Sequence, residues 1–70
     1  MYNEIALFIT DHFQVNRINV AATMGVFADE DGLSEIIGEI ETSYSIKLND
    51  LENVAEMKIH DFIIAVTNRL

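Results

Sequence analysis

The chain has no cysteine, no proline and no tryptophan, and its only glycines are Gly25, Gly32 and Gly38. Without cysteine there can be no disulfide, no thiolate-held zinc and no thiol nucleophile. That absence fits a cytoplasmic setting. Basic residues are also scarce: Lys and Arg number 4 against 12 Asp and Glu, a formal net charge of -8. Such a charge repels nucleic acid and anionic membrane and suits a partner with a basic surface. No uninterrupted apolar run is long enough to cross a bilayer. Glu4 and the lack of a basic leader argue against a secretory signal. There is no glycine-rich phosphate loop, internal repeat or low-complexity tract. What remains is half apolar and 23% charged, a globular composition. Seventy residues make one small domain, which buries only about 60% of the surface its unfolded chain exposes.

Apolar residues recur at helical spacing in three places. Ile5, Phe8, Ile9 and Phe13 make one stripe, with Ala6 and Leu7 expected to widen its apolar face, predicting a well-covered helix over Asn3 to Phe13 with Asn3 as its N-cap. From Gln14 to Ala28 neither helical nor strand periodicity holds. We expect a long first loop there, packing its own apolar side chains, with one helical turn near Asn19 to Thr23. A second helix begins at Asp29-Glu30-Asp31-Gly32, with Asp29 or Asp31 as N-cap and acids at the positive end of the dipole. Its core stripe is Leu33, Ile36, Ile37, Ile40 and Tyr44, and its outer face carries Glu35, Glu39 and Glu41. Asn49 or Asp50 would cap a brief third helix holding Leu51, Val54 and Ala55. The last helix spans Ile59 to Asn68, with Ile59, Phe62, Ile63, Val66 and Leu70 inward. No strand pair is apparent, and the expected class is all-α: a small four-helix bundle with a long first loop and a short third helix.

This order of elements resembles the acyl carrier proteins and related peptidyl carrier domains. The resemblance rests on short blocks in sequence order. Phe13-Gln14-Val15 is similar to the Leu-Gly-Val that ends the family's first helix, and Val26-Phe27-Ala28-Asp29 to the Leu-Gly-Ala-Asp before its modified serine. Ile36-Ile37, Ile40-Glu41, Tyr44-Ser45-Ile46 and Leu48 follow the family's apolar pattern. Lys58-Ile59-His60-Asp61-Phe62 resembles its Thr-Val-x-Asp-Leu stretch. The resemblance implies a non-enzymatic carrier or docking protein in fatty-acid, polyketide or peptide metabolism, monomeric and cytoplasmic. Its partners would be the basic surfaces of synthase, ligase or transferase enzymes, meeting an acidic face that includes Asp31, Glu35, Glu39 and Glu41.

The family's Asp-Ser-Leu motif, where serine carries 4′-phosphopantetheine, is degenerate. An ungapped alignment puts Glu30 at the serine, and a shift of two residues puts Gly32 there. Neither has a hydroxyl to accept the cofactor. Ser34 is the nearest candidate, either an irregular attachment point or a first-turn serine supporting the helix start. The expectation is therefore no cofactor, with 4′-phosphopantetheine on Ser34 as the departure. No metal site is expected either. Centring an EF-hand loop on Gly32 would require acids at Phe27 and Gly38. His12 and His60 lack triad or metal-ligand spacing; His12 is assigned to the polar side of the first helix and His60 to the surface. The alternative is a small acidic helical interaction module with no carrier role.

Overall fold

The computed structural model describes residues 1–70, the whole chain. In order it contains α1 (Tyr2–Phe13), α2 (Met24–Phe27), α3 (Glu30–Tyr44), a 3-10 turn (Val54–Glu56) and α4 (Ile59–Thr67). No helix is long and apolar enough to cross a membrane. The sole β-type pairing is an isolated antiparallel bridge between Thr23 and Lys58.

The core forms where the three stripes meet. Ile5 and Ile9 from α1, Leu33, Ile36 and Ile40 from α3, and Ile59, Phe62, Ile63 and Val66 from α4 are buried, joined by Met24 and Leu48. All are apolar, so the interior holds no polar side chain in need of a partner. α1 and α3 run antiparallel. The rings of Phe8 and Tyr44 lie 5.9 Å apart at one end, and Phe13 reaches Phe27 at 4.9 Å at the other. Beyond α3, Arg69 on α4's trailing turn donates to Asp50 at 2.6 Å and pins the 45–53 connection; that hydrogen bond holds the Asp50 carboxyl below the usual carboxylate range.

Several sequence expectations are corrected. α1 starts at Tyr2 with Met1 as N-cap, so Asn3 lies inside the helix and does not cap it. The helical turn in the first loop is α2, at Met24–Phe27, whereas Asn19 makes an Asx turn by accepting from the Ala21 N–H at 3.0 Å. The brief third helix is reduced to one 3-10 turn, because Asn53 adopts left-handed backbone (φ 54°) and interrupts helical propagation from 49. α4 ends at Thr67, and Leu70, expected inward, is 44% exposed beyond it. The packing expected of the first loop is met by Met24, which is buried, and by Ile18, Val20 and Phe27, which pack against the core, but not by Val15 or by Val26, which is 81% exposed.

The loop's backbone is tied to α4. The first N–H groups of a helix have no partner within it, and α4 has no side-chain cap. Instead Ile59 N–H donates to Ala22 O at 2.8 Å and His60 N–H to Val20 O at 2.9 Å. Met24 N–H donates to Met57 O at 2.8 Å. A loop that looks irregular in sequence therefore completes the start of the last helix and holds α2 against the 3-10 turn. Gly25 permits that approach: a Cβ there would lie 2.7 Å from Ala55 O.

Candidate functional site

The start of α3 is organised by Asp29. Its carboxylate accepts from the Gly32 N–H at 2.8 Å, which makes Asp29 the N-cap and settles the choice between it and Asp31. Glu30 is the first helical residue and is exposed, as is Asp31. Gly32 lies on the inner side of the turn, where an added Cβ would meet Asp29 Oδ1 at 3.2 Å and Ala28 Cβ at 3.3 Å. Of the two positions that could correspond to the family serine, one is thus exposed and acidic and the other is crowded and has no side chain.

Ser34 is exposed, and its hydroxyl makes no hydrogen bond. It does not support the helix start, because Asp29 already does so. Ser34 sits on a shared rim between two shallow grooves. The smaller, of about 420 Å³, runs between α2, the first two turns of α3 and the 3-10 turn; Leu33, Ile37 and Val54 supply its apolar floor and Asp29 and Glu30 its acidic edge. Ile37 is accordingly half-buried and turned partly toward this groove, not fully into the core. The larger, of about 800 Å³, runs between α1 and α3 and is mostly polar, with Glu35, Glu39, Thr42 and Ser43 on the α3 side.

The four expected partner-binding acids are not equivalent. Asp31 and Glu35 are exposed and have no ion-pair partner. Glu39 accepts from His12 Nδ1 at 2.7 Å. Glu41 is half-buried and accepts from the Leu48 N–H at 2.8 Å. Glu39 and Glu41 are two residues apart, about 200° around the helix, so they stand on nearly opposite sides. The expected single outer face of Glu35, Glu39 and Glu41 is therefore corrected. Glu35 and Glu39 share one side, and Glu41 ties down the connection leaving α3.

His12 is also corrected. It is only 14% exposed and faces α3 through Glu39, with its ring edge-on to Phe13 at 4.7 Å. Its place four residues after Phe8 puts it on the flank of the α1 stripe, a signal legible in the spacing. His60 is at the surface as expected, and its Nδ1 is hydrogen-bonded to the Tyr2 hydroxyl at 2.8 Å. Sequence reasoning missed the exposure of Leu7, expected on the apolar face of α1 but 67% exposed, and that of Val26. Nothing in the local pattern distinguishes Val26 from Met24, which is buried on the same helix.

The geometry defines a small helical protein with an acidic, partly apolar groove at the start of its longest helix. No family model, curated protein or solved structure matches the chain.

Proposed function

We propose that the protein is a carrier-protein-like docking module. It offers the start of α3 to basic surfaces of synthase, ligase or transferase enzymes of fatty-acid, polyketide or peptide metabolism. The observation that carries this reading is Val26. It is 81% exposed and follows Gly25, which lines the groove together with Leu33, Ile37 and Val54. An exposed aliphatic side chain next in sequence to an acid-edged, partly apolar groove suits an interface with an apolar centre and a charged rim. Glu30, Asp31 and Glu35 supply attraction at a distance, which speeds encounter with a basic partner. The order of helices and the short turn before α4 support the carrier-like assignment.

In this reading the protein docks rather than catalyses, and it carries no phosphopantetheine, since Glu30 and Gly32 offer no hydroxyl. Ser34 is the one accessible hydroxyl beside the groove. Co-expression with a phosphopantetheinyl transferase, followed by intact-mass measurement, tests this directly. The expected mass is unmodified. A gain of one phosphopantetheine that disappears in Ser34→Ala would make the protein a true carrier with a displaced site. Docking is tested with a panel of purified carrier-recognising enzymes. Binding should fall in Val26→Asp and with rising salt. The same loss of the serine also favours the alternative of an acidic interaction module unrelated to carrier chemistry. Failure to bind any of the panel would select it.

A further inference from the structure

We infer that the outer face of α1 is a second docking surface, shaped for a basic amphipathic helix of a partner protein. Its centre is Leu7, which is 67% exposed. Leu7 stands two residues from both Ile5 and Ile9, about 200° around the helix, so it points away from the core those residues build. That position ordinarily belongs to a polar side chain. Beside it runs a shallow groove whose apolar lining comes from Leu7, Phe8, Val15 and Tyr44. Val15 reaches the groove because Gln14 closes α1 in left-handed backbone (φ 56°), and Val15 N–H then donates back to Thr10 O at 3.0 Å. Val15 is itself 40% exposed.

The charges at the rim select the occupant. Glu4 and Asp11 line the same groove, three residues before Leu7 and four after it. Neither has an ion-pair partner. Seven residues of helix place them about 10 Å apart along the axis. A partner helix with Lys or Arg seven residues apart and leucine-like residues between them would match both features, its apolar stripe over Leu7 and its cations at the two carboxylates. Arg17 lines the depression on the other flank of Leu7, which directs the basic residues to the Tyr44 side. A second copy of this chain is a poor occupant, because each copy carries a formal -8 and the face itself is acidic. The groove shares no lining residue with the one at the start of α3, so the two surfaces can be tested separately.

The probe is a synthetic helical peptide of about 14 residues, close to four turns, with leucines at three-and-four spacing and lysines seven apart. A control peptide has the same composition with the leucines scrambled. Titrating each into ¹⁵N-labelled protein should give saturable amide shifts at Glu4 to Val15 and at Tyr44 for the first peptide alone. Leu7→Ser, and separately the pair Glu4→Lys with Asp11→Lys, should weaken binding about tenfold or more, the scale of one leucine leaving apolar contact. Val26→Ser should leave it unchanged. Because Leu7 is exposed, circular dichroism of Leu7→Ser should match the parent. Equal binding of the scrambled peptide, shifts centred on residues 26–37, or unchanged affinity in Leu7→Ser would overturn the inference. So would concentration-dependent dimerisation of the free protein in sedimentation.

Discussion

The same substitution at two glycines should move stability in opposite directions. Gly38 lies in the middle of α3, and a Cβ added there meets no atom within 4 Å. Its negative φ suits alanine, since no glycine in the chain has positive φ. Gly38→Ala should therefore gain the full difference in helix propensity, about 0.5 to 1 kcal/mol, by restricting the unfolded chain. For a domain of this size that raises the thermal midpoint by about 2 to 8 °C. Gly25 is helical too, but there a Cβ would stand 2.7 Å from the Ala55 carbonyl oxygen and 3.2 Å from its Cβ. The obstacle is backbone, so α2 and the 3-10 turn must part. Overpacking of this kind costs about 1 to 3 kcal/mol, more than helix propensity can return in a four-residue helix. Gly25→Ala should lower the midpoint. Thermal and urea unfolding followed by circular dichroism at the helical band measure both variants. A Gly25→Ala protein as stable as the parent, or a Gly38→Ala protein less stable, would refute the assignment of close approach to one glycine and open space to the other.

Two further outcomes follow from side-chain contacts. Glu41→Ala removes the acceptor of a buried residue's N–H and should destabilise by about 1 to 3 kcal/mol, whereas Glu35→Ala should stay within about 0.5 kcal/mol; urea midpoints and faster hydrogen exchange at Leu48 check the contrast. The Tyr44 hydroxyl is held above its ordinary 10.0, first by partial burial and then by the neighbouring Glu4 charge. The native state thus keeps this proton more tightly than the unfolded chain does. The stability it contributes is complete below pH 10 and is lost as pH rises through the native value. Ultraviolet titration in a Tyr2→Phe background should show the raised value, and Glu4→Gln should lower it.

The three apolar stripes were legible because each helix buries residues at spacings of three and four, and Ile5, Ile36 and Phe62 all fall where that periodicity puts them. Asp29 was legible as one of two caps, and only the hydrogen bond to Gly32 distinguishes it from Asp31. Features set by residues far apart in sequence were not legible. Glu41 looks like any surface acid until the chain turns back to bring the Leu48 N–H to it. The start of α4 shows no cap in its own sequence because its partners are the carbonyls of Val20 and Ala22. Val26 and Leu7 have the composition of core residues, and only the finished packing shows that they lie outside the core. The acidic start of α3 was visible as a run of charge, but its division into a cap, free acids and a crowded glycine required the helix.

The bonds from Val20 and Ala22 to α4 also bear on how the chain folds. They join segments almost forty residues apart, in a protein whose other backbone bonds are mostly within single helices. Small helical proteins commonly fold fast because their contacts are local. Here α4 has no complete N-terminus until residues 20–22 reach it across the intervening α3, so we predict that the closing of that long loop belongs to the slow step. The amides of Ile59 and His60 should then exchange with solvent only when the entire domain opens. A deletion that takes out residues 20–22 would remove more than a surface connection: it would leave the last helix without the groups that start it.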